Sequence, residues 1–385
     1  MKIMSVFGTR PEAIKMCPVI KELERHIEIE SVVCLTGQHK EMLNQVIELF
    51  KIKVDYNLHI MKENQSLTEI TCNILSQLDK VIQYENPDMI LVHGDTSTSF
   101  AAALSAFYNH IPIGHVEAGL RTYNIQSPYP EEFNRQCVDI ITDLFFAPTE
   151  YAKKQLINEN KDKSRIFVTG NTAIDALKTT VDNNYHNINL DWCKDNRLIL
   201  LTAHRRENIG TPMENVFEAV NKILDKYSDV RVIYPLHKNP KVREIAQKYF
   251  GDNPKVRMIE PLDVYDFHNF MNKSYFILTD SGGIQEEAPS LGKPVLVLRD
   301  STERPEGVQA GTLKVIGTQV GVVYQEIERL LTDKEEYSHM SQAANPYGDG
   351  YASERIVQII MEYFRGRYIC QRYQLYYQHI MDSYI

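Results

Sequence analysis

The stretch MKIMSVFGTRPEA, residues 1–13, decides how the rest of the chain is read. Residues 3–7 form a short apolar run that leads straight into Gly8-Thr9-Arg10-Pro11-Glu12. Pro11 suits a first helical position, where a missing N–H leaves no bond unmade. A strand therefore passes through a glycine-led loop into a helix. Backbone N–H groups and the helix dipole favour an anion at such a start, and Arg10 with Lys15 one turn later would add charge-assisted bonds to a phosphate. An ordinary turn carrying solvated Arg and Lys is the equal alternative at this motif alone. The loop is not G-x-G-x-x-G and gives no argument for NAD.

Working outward, short apolar runs at 31–35, 89–92, 113–116, 144–147 and 166–169 alternate with segments of helical period. That alternation predicts a parallel sheet covered by helices. The stretch NNYHNINLDWCKDN (183–196) has linker composition, and a second series of runs follows at 198–202, 230–235, 256–259, 276–279 and 294–298. A chain of 385 residues exceeds one ordinary core. The expected fold is therefore α/β, with two Rossmann-like doubly wound domains facing across a cleft. The first is expected over 1–175, completed by a C-terminal helix around 351–370, and the second over 176–350. In open α/β sheets ligands sit beyond the carboxyl ends of the strands, so the chemistry belongs in the loops that follow strands.

Those loops carry titratable groups. Val92-His93-Gly94-Asp95-Thr96-Ser97 ends a strand in a carboxylate, for which helix capping is the rival role. His115-Val116-Glu117-Ala118-Gly119 ends the next in the same way, and Pro128-Tyr129-Pro130-Glu131 turns into a helix with Glu131 near its start. Acidic residues are common in a first helical turn. Three carboxylates, Asp95, Glu117 and Glu131, converging on one sheet edge are a different matter, because mutual repulsion and burial push their pKa values apart and fit them for acid–base work. In the second half, Ala203-His204-Arg205-Arg206 follows a strand and suggests a pyrophosphate environment, with His204 a donor or a titrating group and His237 a weaker candidate. Thr279-Asp280-Ser281-Gly282-Gly283 brings a strand, a hydroxyl, two glycines and a helix start together, where phosphate can approach bare N–H groups. Glu286 and Glu287 either complement the dipole or grip ribose hydroxyls, and Arg304 supplies a further cation.

Composition narrows the partners. A net charge of -9 argues against a nucleic-acid surface, and no run approaches the apolar length of a membrane span. A cytoplasmic location is expected. The six cysteines, Cys17, Cys34, Cys72, Cys137, Cys193 and Cys370, show no metal-ligand spacing and read as reduced packing residues. The last nineteen residues, RYICQRYQLYYQHIMDSYI, are rich in Tyr and Gln and read as a docking helix, a frayed end or an oligomer contact.

The motifs GTRPEA, VHGDT, GHVEAGLRT, PEEFNRQ, LLTAHRREN, TDSGGIQEEAPSLGKPVLVLRD and TERPEG, in this order, resemble the non-hydrolysing UDP-N-acetylglucosamine 2-epimerases of bacteria. The resemblance runs from residue 1 to about 355. It implies a glycosyltransferase-B type fold, a homodimer, no metal and no nicotinamide, UDP-N-acetylglucosamine and UDP-N-acetylmannosamine as ligands, and a product used in surface polysaccharide or teichoic-acid linkage synthesis. It places nucleotide-sugar contacts on Arg10, Lys15, Phe267, Ser281, Gly282, Gly283, Glu287 and Arg304, and catalytic roles on Asp95, Glu117, Glu131 and His204. Some family members bind a second UDP-N-acetylglucosamine as activator, which aligns near Gln38, His39, Gln65 and Arg205; Glu41 and Asn64 stand where certain relatives carry Gln and Arg. The C2 proton of an N-acetylhexosamine has no adjacent carbonyl, so direct removal would leave an unstabilised carbanion. Expulsion of UDP from C1 with loss of that proton, followed by re-addition, avoids it.

Overall fold

The structure, a computed structural model, describes residues 1–37, 40–62 and 65–366. It divides into two compact units, Met1–Asp175 with a second segment beginning at Gly350, and Ala176–Asp349.

In the first unit the strands are β1 (Lys2–Phe7), β2 (Glu30–Leu35), β3 (Tyr56–Asn57), β4 (Met89–His93), β5 (Ile113–Val116), β6 (Leu144–Ala147) and β7 (Ile166–Val168). They form one parallel sheet in the order β3-β2-β1-β4-β5-β6-β7. In the second, β8 (Arg197–Thr202), β9 (Val230–Pro235), β10 (Val256–Ile259), β11 (Phe276–Thr279), β12 (Val295–Val297) and β13 (Leu313–Val315) give the parallel order β10-β9-β8-β11-β12-β13. Central strands read as unbroken apolar runs because helices cover both faces. Thus Met4, Val6, Ile90 and Val92 pack with Ile74, Leu78 and Ala102, and Ile199, Leu201 and Leu278 pack with Phe217, Val220 and Ile327.

Strand order reverses direction between β1 and β4 in one unit and between β8 and β11 in the other. At such a switch point the following loops diverge and leave a crevice at the carboxyl ends. The loop after β1 is built for close approach. A Cβ on Gly8 would lie 2.0 Å from Thr36 Oγ1 and 2.7 Å from Thr98 Oγ1, so no side chain fits. Thr9 and Glu12 then cap the helix Arg10–Leu23 reciprocally, with Pro11 in its first turn. Glu12 is buried, and its carboxylate accepts the N–H groups of Gly8 (3.0 Å) and Thr9 (2.7 Å) and the hydroxyls of Thr96 (2.7 Å) and Ser99 (3.2 Å). One side chain thereby ties the loop after β1 to the loop after β4.

Two expectations need correction. The stretch 183–196 is not a linker but part of the second unit: Tyr185, Leu190, Trp192 and Cys193 pack against Ile233, Phe270 and Leu198, and Tyr185 Oη donates to Asp266 (2.6 Å). Its apolar anchors are spaced irregularly and escape a search for period. The edge strands β3 and β13 were also not expected. One has two residues, and the other holds a lysine, Lys314, that pairs with Glu326 at 2.6 Å.

Residues 352–366 form a helix of the first unit. Its first turn is held by the Asp175 carboxylate, which accepts from Ser353 N (2.7 Å) and Ala352 N (3.2 Å). A charged acceptor on two helix-start N–H groups contributes about 1–2 kcal/mol. Asp175→Ala is therefore expected to lower the unfolding free energy of the first unit by roughly that amount, read by urea denaturation; an unchanged midpoint would contradict the capping role.

Candidate active site

In the first unit, Asp95, Glu117 and Lys15 come from the loops after β4 and β5 and from the helix after β1. Glu117 holds φ +67°, a left-handed conformation that costs a non-glycine residue on the order of 1 kcal/mol and is kept where surroundings over-determine it. Those surroundings converge on one carboxylate oxygen. Oε2 accepts from the Lys15 ammonium, lies 3.4 Å from Asn171 Nδ2 and 3.7 Å from His93 Nε2. Among the described residues no donor reaches Oε1, whose nearest approach to the loop is toward Gly94, where a Cβ would sit 3.8 Å away. Burial pushes the Glu117 carboxyl up, but Lys15 and His93 outweigh it and hold the group well below the usual carboxylate range.

Asp95 is shifted the other way. Burial raises it, Glu117 and Glu131 add to the rise, and Arg135 and His93 oppose. It is not a helix cap, because Thr96 takes that place for the helix Ser97–Tyr108. The helix Glu131–Ile141 braces it instead: Arg135 Nη2 meets Asp95 Oδ2 at 2.7 Å, and Asn134 Nδ2 donates to the Asp95 carbonyl at 2.9 Å. Glu131 occupies the first position of that helix and belongs to the same electrostatic cluster. Its neighbour Glu132 is the buried one, accepting the N–H groups of Thr122 and Tyr123 at 3.0 Å each. Arg10 lies at the same sheet edge with no ion-pair partner among the described residues.

Beneath this cluster His115 Nδ1 contacts Asp139 at 2.7 Å and Nε2 contacts the Gly94 carbonyl at 2.8 Å. Both ring nitrogens of His115 are thus engaged, which fixes the ring. Asp139 is held below its usual range although burial opposes it, by His115 and by Arg121, whose Nη2 donates to it at 2.6 Å. The backbone just before Asp95 is thereby fixed from below.

In the second unit, the buried Asp280 plays the linking role. Its Oδ2 accepts the N–H groups of His204 (2.8 Å) and Arg205 (2.9 Å) and the Asn208 amide (3.2 Å), joining the loop after β8 to the loop after β11. His204 stacks on His237 at 5.1 Å with the rings 6° from parallel, and burial followed by the His204 charge lowers the His237 pKa. Ser281 caps the short helix Gly282–Glu287 without a side-chain bond. A Cβ on Gly282 would stand 3.1 Å from the Arg304 guanidinium, which donates to Glu286 at 2.8 Å; Gly283 is under no such constraint. Glu287 lies 3.4 Å from His268 Nε2. Thr180 Oγ1 donates to the Ala176 carbonyl, so His268 Nδ1 donates to Thr180 at 2.6 Å, which fixes the ring beside Glu287. Phe267 packs half-buried on this core.

The residues singled out in the sequence thus fall into two groups, Arg10, Lys15, Asp95, Glu117 and Glu131 in one unit and His204, Phe267, Ser281, Gly282, Gly283, Glu287 and Arg304 in the other. Gln38 and His39 lie outside the described residues, as does the Tyr-rich stretch from Arg367. Gln65 and Arg205 belong to different units; Gln65 Oε1 accepts from Lys62 N, its Nε2 is buried without a partner among the described residues, and Arg205 sits 3.7 Å from Glu207. Glu12, His93, His115, Arg135, Asp139 and Asp280 were not foreseen as site residues. All but Arg135 and Asp139 stand within two residues of one that was, which is the signal that could have found them. Among the described residues, no group of three His, Cys, Asp or Glu is arranged to hold a metal, and no helix is long and apolar enough to cross a membrane.

Two doubly wound parallel sheets, each with its polar loops at the switch point, define an α/β protein of glycosyltransferase-B type. The chain belongs to the UDP-N-acetylglucosamine 2-epimerase family, whose family model matches residues 21–361. The UDP-N-acetylglucosamine 2-epimerase of Bacillus subtilis is 60% identical over 367 residues, covering 95% of this chain and 97% of that one. A crystal structure from Listeria monocytogenes superposes with TM-score 0.92 at 55% identity, covering 95% of this chain and 97% of that one. The UDP-GlcNAc 2-epimerase of Neisseria meningitidis, crystallised bound to UDP-GlcNAc, superposes with TM-score 0.84 at 49% identity over 94% of this chain and all of that one.

The Lys15–Glu117 pair gives a signed prediction. A carboxyl depressed on folding stabilises above its unfolded pKa, and that stabilisation disappears as pH falls through the folded value. In Lys15→Met only His93 is left to oppose burial, and the depression of Glu117 shrinks. The variant should be destabilised most at neutral pH and progressively less below about pH 4, in denaturant titrations across that range. A deficit independent of pH would show that the pair does not set the Glu117 charge.

Proposed function

We propose that the chain interconverts UDP-N-acetylglucosamine and UDP-N-acetylmannosamine by inverting C2, through anti elimination of UDP and its re-addition. The observation that carries this reading is a pair of neighbouring carboxyls shifted in opposite directions, Glu117 down and Asp95 up. Two such groups supply an acceptor and a donor of protons at one pH, which inversion at a carbon needs. Family membership and a relative crystallised with UDP-GlcNAc support the substrate.

In the proposed reaction a carboxylate of the set Asp95, Glu117 and Glu131 takes the C2 proton. The C2–H electron pair becomes the C1=C2 bond of a 2-acetamidoglucal, and the C1–O pair leaves with the β-phosphate of UDP. The β-phosphate oxygen then re-attacks C1 while a second carboxyl delivers a proton to the opposite face of C2. Glu117, kept ionised and with Oε1 free of donors, is suited to accept. Asp95, whose pKa is raised by burial, is the proposed donor. In the second unit, His204 and the helix start at Ser281 to Gly283 are the donors for the pyrophosphate, where developing charge on the leaving oxygen is stabilised by fixed N–H groups. Glu287, oriented by His268, takes the ribose hydroxyls. The product would supply N-acetylmannosamine units for surface polysaccharide or teichoic-acid linkage synthesis in the cytoplasm. We read the enzyme as a homodimer; exposed Phe107, Tyr108, Phe133 and Ile140 on two adjacent helices favour a buried partner face.

Proton NMR of UDP-N-acetylglucosamine with the protein in deuterated water should show UDP-N-acetylmannosamine appearing with deuterium at C2. Asp95→Asn or Glu117→Gln should lower turnover by about a hundredfold or more. Free UDP with free sugar, or an unchanged spectrum, would overturn the reading.

A further inference from the structure

His93, at the end of β4, is 4% exposed, and neither ring nitrogen has a hydrogen-bond partner among the described residues. Each buried polar atom left unpaired costs on the order of 1–3 kcal/mol, and an aliphatic or aromatic residue of similar volume would fill the position without that cost. The contrast with His115 on the adjacent strand is informative. There both nitrogens are satisfied by Asp139 and the Gly94 carbonyl, as a structural histidine requires. His93 Nε2 instead lies 3.7 Å from Glu117 Oε2, beyond hydrogen-bond reach and beside the carboxylate cluster. His93 acts electrostatically on Asp95 and Glu117, yet at 3.7 Å the Glu117 carboxylate is too far to complete either ring nitrogen.

We propose that His93 is a direct contact for the sugar end of the substrate, its ring nitrogens completed by the hydroxyl or amide groups that border C2. This rests on the nucleotide-sugar reading above. An imidazole with both nitrogens unpaired has polar positions to fill, and a pyranose ring bearing vicinal hydroxyl and acetamido groups offers donors and acceptors in return. The contact places the C2 carbon against Glu117 by holding its neighbours, which is how positioning lowers a barrier without new chemistry. It also separates sugar recognition from nucleotide recognition, since UDP alone has nothing to satisfy His93.

The test compares binding of UDP and of UDP-N-acetylglucosamine, by calorimetric titration of the full-length protein and of His93→Asn and His93→Gln, each of which keeps one polar position of the ring. The expected result is UDP affinity within about twofold of the unaltered protein, and nucleotide-sugar affinity lowered about tenfold in at least one variant, the effect of one lost hydrogen bond. An unchanged ratio of the two affinities in both variants would overturn the proposal. Equal thermal melting of the three proteins guards against a loss of fold, and if only one variant folds its ratio decides. Should the unaltered protein bind neither ligand, the nucleotide-sugar reading falls and takes this contact with it. Binding of UDP but no tighter hold on the sugar in the unaltered protein would refute the His93 contact alone.

Discussion

A carboxylate removed from water is destabilised by several kcal/mol unless a cation or a set of N–H donors takes up its charge. Four buried carboxylates among the described residues obey that constraint. Glu12, Glu132 and Asp139 in the first unit and Asp280 in the second are buried, and each is met by two or more donors. Glu12 and Asp280 tie together loops that follow different strands, while Glu132 and Asp139 tie the helix Glu131–Ile141 to β5 and the segment that follows it. Because an unpaired buried charge is so unfavourable, each tie fixes a backbone path more firmly than packing of the same area would.

The groups proposed to react sit in environments of a different kind. Glu117 has one oxygen saturated and the other without a donor among the described residues. Asp95 has a single arginine set against burial and two like charges. His93 is enclosed, and neither ring nitrogen has a hydrogen-bond partner among the described residues. Within one small region the chain thus presents a carboxylate held ionised, a carboxyl raised toward its proton and an unsatisfied imidazole. Strain in the Glu117 backbone is part of the same arrangement, since a relaxed backbone would aim the carboxylate elsewhere.

Much of this was legible in the sequence because parallel strands flanked on both faces read as apolar runs, and because Gly8-Thr9-Arg10-Pro11 and Ser281-Gly282-Gly283 carry their loop geometry in their residue types. Period and run length identified most strands but not β3 or β13, which are short and polar at the sheet edges. The stretch 183–196 misled because its anchors, Tyr185, Leu190 and Trp192, lack a period. In the candidate site, Asp95, Glu117 and Glu131 could be named from position after strands. The direction in which each is shifted could not, because that depends on Lys15, Arg135 and His93 reaching them across the fold. Nor could His93 be told from His115: both lie near the carboxyl ends of apolar strands, and only their partners separate them.

The account's central claim is that C2 inversion proceeds with cleavage of the C1–O bond. UDP-N-acetylglucosamine labelled with oxygen-18 in the bridge between C1 and the β-phosphorus tests this directly. Cleavage frees the labelled oxygen to exchange with the other β-phosphate oxygens before re-addition, so label should scramble in recovered nucleotide sugar as epimerisation proceeds. Label retained wholly in the bridge after many turnovers, with C2 inverted, would contradict the account and require a route that leaves C1 bonded throughout.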